Sequence, residues 1–150
     1  MSTSSTPRLH IGQLLTQLTR VFQTELFERL AAAGLEGARL PHTHVTAYIK
    51  ADGSRLTELA AQARMTLPAM SEIVDDLQRL GIVERRPDAT DKRAKLICLT
   101  DAGWAAMNTA RVVIGEIEAD YARRVGSERF ETAAQTLDEL LHAHAPPHAQ

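Results

Sequence analysis

Cysteine is almost missing from this chain: Cys98 is the only one among 150 residues. An internal disulfide is therefore excluded, and the usage agrees with a reducing compartment. Aromatic residues are scarce at 4%, with a single Trp, so the core must be assembled mainly from Leu, Ala, Val and Ile. No apolar run approaches the roughly 18 residues of a membrane span, and the opening MSTSSTPR has no apolar stretch of signal-peptide type. These gaps lead to the expectation of a cytoplasmic protein without a membrane partner. Gly-rich phosphate loops, a GxSxG elbow and a His-rich metal-hydrolase helix are also missing. The expectation is a non-enzyme that needs no cofactor.

What is present is the balance of an ordinary globular domain, 44% apolar and 24% charged. The net charge of −2 is unevenly spread: residues 39–100 hold 10 basic and 8 acidic side chains, whereas residues 101–150 hold 4 and 8. Within Arg79–Lys95 alone, 6 basic side chains face 3 acidic ones. A local cationic field is therefore compatible with a slightly acidic protein, and the overall charge does not exclude a polyanionic partner.

Apolar residues at spacings of three and four, Ile11, Leu14, Leu15, Leu18, Val21, Phe22, Leu26 and Leu30, predict a long first helix stopped at Gly34. Pro41 can open a shorter helix running to about Lys50, and ADGS supplies a turn. Two helices follow in quick succession, with Thr57 the expected N-cap of one and Thr66 of the next, which ends at Gly81. Beyond Gly81 the period changes: IVERR and KLICLT flank the polar PDATDKR, the pattern of a two-stranded hairpin. Thr100 then caps a long helix, and a last one after Gly126 and Ser127 carries Phe130, Ala133, Ala134, Leu137, Leu140 and Leu141 on one face. The fold class expected is mainly α with a small β-hairpin.

Helix, tight turn, helix and hairpin is the order of a winged helix-turn-helix, which lays its second helix in the major groove of DNA. With Met70, Ile73, Val74, Leu77 and Leu80 on its apolar face, that second helix presents Pro68, Ala69, Ser71, Glu72, Asp75, Asp76 and Arg79 on the other. Ser71 can bond a base edge or a phosphate, and Glu72 can accept from a cytosine amino group. The hairpin cations Arg85, Arg86, Lys92, Arg93 and Lys95 suit flanking phosphates or the narrow minor groove.

The run LTELAAQARMTLPAMSEIVDDLQRLGIVERRPDATDKRAKLICLTDAG resembles the MarR (multiple antibiotic resistance regulator) family, with GIVERRPD, DKRA and the closing Leu99-Thr100 as its ordered signature. The resemblance is strongest over residues 55–103. It implies a winged helix-turn-helix over residues 41–100, flanked by N- and C-terminal dimerisation helices over residues 8–34 and 101–144, with flexible termini at 1–7 and 145–150. It further implies that Arg93 enters the minor groove from the wing tip, that Asp91 orients the wing arginines, and that Arg85 supports the wing or touches phosphate. The exposed turns between Pro68 and Arg79 would read the major groove. The chain departs from the family at Glu72 and Asp76, where basic residues are frequent, and at Ala89, where a proline is commoner. Greater reliance on the helix dipole, Ser71, Arg79 and the wing is expected, with a looser wing tip.

The partners implied are double-stranded DNA, a second copy of the chain, and a small aromatic or phenolic effector. A two-fold dimer buries the broad apolar faces of the end helices and spaces two reading heads by about one DNA turn, ~34–36 Å. For the effector, His44, Tyr48, Trp104 and Met107 can line a crevice between the second helix and the helix after the wing; the other reading is that Trp104 and Met107 are core. Cys98 reads as a buried structural thiol in the second hairpin strand, with peroxide sensing the alternative. His42 and His44, two apart, do not share a helix face, and a zinc-sensing site from His10, His42 or His44 stays open beside the reading of no metal at all. Glu72, Asp75 and Asp76 form either a solubilising face paired with Arg79 or a base-reading one. The alternative function is a winged-helix module whose acidic face binds a protein, with weak or no DNA binding.

Overall fold

The structure is a computed structural model that describes residues 8–144. The segments 1–7 and 145–150, expected to be flexible, lie outside the described residues. Two compact units divide the chain, Met1–Val113 and Ile114–Gln150.

The first unit opens with α1, Ile11–Ala32. Leu26 and Leu30 near its end are buried, whereas Ile11, Leu14, Leu15, Leu18 and Val21 are exposed. A 3-10 turn, Leu40–His42, leads into α2, Thr43–Thr46, which stops well before the expected Lys50. The shortening has a local cause. Thr43 and Thr46 turn their hydroxyls onto the carbonyls of Leu40 and His42 at 2.7 and 3.2 Å, and Thr43, Val45, Thr46 and Ile49 are all β-branched, a composition that favours neither propagation nor a long helix.

After the turn at Asp52-Gly53, Ser54–Arg55 form β1, a strand too short to show a period. It pairs antiparallel with β3, Asp91–Leu99, whose other side takes β2, Val83–Asp88, so the expected hairpin is part of a three-stranded sheet ordered β1-β3-β2. Gly53 makes the third strand possible. At φ +98° it lies in the left-handed region, and a Cβ there would stand 2.7 Å from Cys98 Sγ and 3.2 Å from the Ile97 carbonyl oxygen.

Between β1 and β2 lie α3, Leu56–Gln62, and α4, Leu67–Arg79. The first begins one residue before Thr57, with Arg55 at the N-cap position; the second is capped by Thr66, whose hydroxyl accepts the Ala69 N–H at 3.3 Å. Their connection turns on Arg64, the one described non-glycine residue with positive φ, +53°. Its strain is stabilised by the Met65 N–H donating back to the Ala60 carbonyl at 2.8 Å. Met70, Ile73, Val74 and Leu77 point from α4 into a core shared with Val45, Leu59, Ala60, Val83, Ile97 and Leu99. Leu80, expected on the same face, is exposed instead because α4 has ended at Arg79 and the chain is already turning.

Thr100 closes the sheet and starts α5, Asp101–Val125, its hydroxyl accepting the Gly103 N–H at 3.0 Å. In the second unit Ile117 of α5 is fully buried. The last helix, α6, Ser127–Ala143, buries none of its residues, and Leu137, Leu140 and Leu141 of its apolar face are exposed.

Two substitutions, one in the first turn of α5 and one in the turn before α4, are expected to move stability in opposite directions. Gly103→Ala would drive a Cβ into the Ile82 carbonyl oxygen, costing about 1–3 kcal/mol. Arg64→Gly removes a left-handed penalty of about 1–2 kcal/mol against an added entropy cost of about 0.5–1 kcal/mol, a small net gain. Urea denaturation of both variants checks the signs, and a stabilised Gly103→Ala protein would contradict the packing described.

Candidate nucleic-acid interface

With its apolar side committed to the core, α4 turns one stripe outward. Pro68, Glu72, Asp75 and Arg79 are exposed, and Ala69, Ser71 and Asp76 are half-buried beside them. The Thr66 cap leaves the helix N-terminus open next to Pro68 and Ser71, where backbone N–H groups and the helix dipole favour an anion. Ser71 supplies a hydroxyl and Glu72 an acceptor at the same end, the donor and acceptor types needed at base edges.

The carboxylates along this stripe are not equivalent. Asp75 accepts from Arg85 Nη2 at 2.7 Å, and the Arg85 guanidinium also reaches Gln78, so Arg85 fastens β2 to α4. Asp76 accepts from His42 Nε2 at 2.7 Å, from Arg39, and from Arg79 Nη2 at 3.0 Å. Its carboxyl is held down to about 2, chiefly by the His42 bond and then by Arg39. Glu72 has no such partner among the described residues. Pairing with Arg79 at helical spacing thus belongs to Asp76, while Asp75 is taken by the wing.

The wing tip is tied. Asp88 is buried at the end of β2, where Oδ1 accepts the Thr90 backbone N–H at 2.9 Å and the Thr90 hydroxyl at 2.8 Å. Arg55, from β1, donates Nε and Nη2 to Asp88 Oδ2 at 2.8 and 2.6 Å. These bonds hold the Asp88 carboxyl at about 2, the Thr90 backbone N–H contributing most. A looser tip was expected from the missing proline. The Asx turn and the two-pronged arginine supply the rigidity instead.

Asp91 was expected to orient the wing arginines. It accepts the backbone N–H of Arg93 at 3.0 Å and so shapes the turn into β3, with no guanidinium bonded to it among the described residues. Arg86 is occupied by Glu84, its Nε donating at 2.7 Å. Lys92, Arg93 and Lys95 are exposed, and their side chains have no hydrogen bond or ion pair among the described residues. The unspent positive charge of the hairpin is therefore at its far end.

Arg39, Arg55 and Asp88 were missed by reading the sequence, and His42 was considered only as a zinc ligand. Asp88 carried a local signal, the Asp-x-Thr spacing of an Asx turn. The pairs Arg55–Asp88 and His42–Asp76 join residues more than thirty positions apart, and no local pattern announces them.

Of the residues considered for an effector crevice, His44, Tyr48 and Trp104 are exposed and Met107 is half-buried against the core. Trp104 is thus not a core residue. Cys98 is a free, buried thiol, its pKa raised chiefly by burial. Among the described residues no three His, Cys, Asp or Glu side chains gather as a metal site. His42 Nε2 is committed to Asp76. No helix among the described residues is long and apolar enough to cross a membrane.

Comparison with known proteins gives this geometry a context. A family model described as MarR family matches residues 42–94. The uncharacterised HTH-type transcriptional regulator YdcH of Bacillus subtilis (strain 168) is 29% identical over 136 residues, covering 89% of this chain and 92% of its own length. Among solved structures, wild-type MarR from E. coli in its apo form superposes with a TM-score of 0.68 at 22% identity, covering 93% of this chain and 100% of that one. The S. aureus MepR–DNA complex gives 0.70 at 20%, covering 91% and 99%. CouR from Rhodococcus jostii RHA1, bound to p-coumaroyl-CoA, gives 0.71 at 22%, covering 93% and 95%. At these identities the superpositions speak to fold.

Asp76 and Asp88 make acid stability a measurable consequence of this site. Both carboxyls sit at about 2 in the folded chain, below the ~4 of an unfolded carboxylate. A depressed folded pKa contributes stability that is complete above pH ~4 and is lost as pH falls toward 2. The urea midpoint of the wild type should therefore decline over that window. Asp88→Asn should start lower at neutral pH and decline less. Parallel profiles for the two proteins would show that the tip bonds do not carry this dependence.

Proposed function

We propose that this chain, whose residues 42–94 match a MarR-family model and which is 29% identical to an HTH-type transcriptional regulator, is a winged helix-turn-helix transcription regulator of the MarR type and not an enzyme, a ligand-responsive homodimeric repressor seated on a pseudo-palindromic operator in the cytoplasm. The observation that carries the reading is the combination of a capped α4 with its polar stripe exposed and a tied wing whose Lys92, Arg93 and Lys95 are unspent. In this reading the first turns of α4, with Pro68, Ala69, Ser71 and Glu72, enter the major groove. Arg93 enters the adjacent minor groove, Lys92 meets the backbone, and Asp91 sets the turn that aims them.

Support for a dimer comes from each end of the chain separately. Five large apolar residues of α1 are open to water, and α6 leaves Leu140 and Leu141 at 51% and 71% exposure. Faces of this size on a soluble helix are normally covered. These helices are proposed as the dimerisation regions, residues 8–34 and 101–144. Two copies place two reading heads about one DNA turn apart.

Release requires an effector that binds the non-binding arrangement of the dimer better than the operator-bound one, and coupling of about 1–3 kcal/mol would serve. CouR, similar in fold, is bound to p-coumaroyl-CoA. An aromatic or phenolic effector meeting His44, Tyr48, Trp104 and Met107 is proposed here by analogy with that class. The alternative of a protein-docking acidic face has less support, because Asp75 and Asp76 are held by the chain's own arginines.

A titration of fluorescently labelled DNA from the gene's upstream region, with scrambled DNA of equal length as the control, tests the reading at two salt concentrations. Wild type should prefer the upstream DNA, and Arg93→Ala should lose about 1–3 kcal/mol of that preference. Equal binding to both DNAs at both salts, or an Arg93→Ala protein indistinguishable from wild type, would refute the proposal.

A further inference from the structure

A carboxylate on a DNA-reading helix should weaken binding by repelling phosphate, and Asp76 stands on α4 where that objection applies. Its surroundings reverse the argument. Oδ2 takes the His42 Nε2 at 2.7 Å and the Arg39 guanidinium, while Oδ1 takes Arg79 Nη2 at 3.0 Å. His42 is itself 6% exposed, and its Nδ1 accepts the Arg39 backbone N–H at 3.2 Å. Both ring nitrogens are satisfied at once only in the neutral tautomer with its proton on Nε2. The ring therefore fixes the carboxylate from the protein side, and the carboxylate fixes two arginines on the solvent side.

Those two arginines come from different elements, one entering the 3-10 turn and one in the last turn of α4, yet they meet on one acid with side chains 63% and 75% exposed. Each uses only Nη2 on Asp76, so Nε and Nη1 of both are without a partner among the described residues. With His42 neutral the group carries one net positive charge. Freely rotating arginines would have to be ordered by a ligand at an entropic cost, whereas these are already held. A guanidinium edge also matches the paired oxygens of a phosphate.

We propose that Arg39 and Arg79, positioned by Asp76 and His42, form a backbone-phosphate site on the reading head, separate from the wing. The site rests on the DNA-binding reading above, and it makes Asp76 a positioning residue whose negative charge helps DNA binding. Charge counting and positioning predict opposite signs for its removal.

Asp76→Asn, Arg39→Ala, Arg39→Lys and, as a control, Asp75→Asn are titrated with the upstream duplex and with the scrambled duplex across a salt series, alongside thermal melts. A phosphate site is indifferent to sequence, so binding to either duplex reports on it. Asp76→Asn should bind about three- to tenfold more weakly than wild type although a negative charge has gone. Arg39→Ala should lower the slope of log affinity against log salt by about one, and Arg39→Lys should restore the slope. Arg39 is exposed, so its variants test the site even where Asp76→Asn lowers the melting temperature. Tighter binding by a folded Asp76→Asn, or an unchanged salt slope in Arg39→Ala, would overturn the site while leaving the DNA reading intact. A wild type that binds neither duplex would overturn both.

Discussion

The reading head depends on burial of one face of α4. Met70 and Val74 are completely enclosed and Leu77 nearly so, and side chains of this kind contribute about 1.5–3 kcal/mol each when fully buried. Successive helical residues are about 100° apart, so a rotation of one residue would bring Ile73 or Leu77 toward water and Glu72 or Asp76 toward the core. The apolar contact thereby decides which polar groups face outward. No ion pair at the surface, at about 0–1 kcal/mol, could set that rotation alone. The polar network acts afterwards, within the orientation that packing has fixed.

Three carboxylates then connect elements that packing leaves only loosely specified. Asp88 joins β1 to the wing tip, Asp75 joins α4 to β2, and Asp76 joins α4 to the 3-10 turn. Asp88 is the most enclosed of them, with its oxygens divided between Thr90 and Arg55, so leaving it unpaired would cost far more than an exposed pair is worth. A wing is a two-stranded extension with little core of its own. Fastening its tip from β1 turns a flexible ribbon into part of a three-stranded sheet, and the cations beyond it inherit that stiffness.

The legibility of the fold in its sequence followed the range of the forces involved. Thr66, Gly81 and Thr100 were readable because caps and stops act over three or four residues, and α1, α4 and α6 because their apolar period persists over several turns. The two-residue β1 has no period to detect, and α2 was overread because Pro41 signals where a helix can begin and nothing in HTHVTAYIK says how soon its threonines will end it. The site divided in the same way. The outward stripe of α4 and the wing cations were visible as pattern, whereas Arg39, His42 and Arg55 gained their roles from partners more than thirty residues away. Asp76 was visible as an anomaly against basic residues in the family, and only its neighbours explain how the anomaly is tolerated.

These pairings also resolve how a chain with a charge of −2 can present a cationic surface. On the reading head Arg55, Arg85 and Arg86 are each matched by a carboxylate, while Arg39 and Arg79 share Asp76. What remains unmatched among the described residues of the reading head is one charge of the Arg39–Arg79 pair, Arg64 in the turn before α4, and Lys92, Arg93 and Lys95 on the wing. Internal pairing therefore concentrates the outward field instead of merely reducing it. At about 8–10 Å the screening length in physiological salt is shorter than the wing, so a phosphate near the tip responds chiefly to those three cations. Exposed pairs also cost little to rearrange, and an arginine held on a carboxylate can extend its remaining N–H groups to a phosphate without first being ordered.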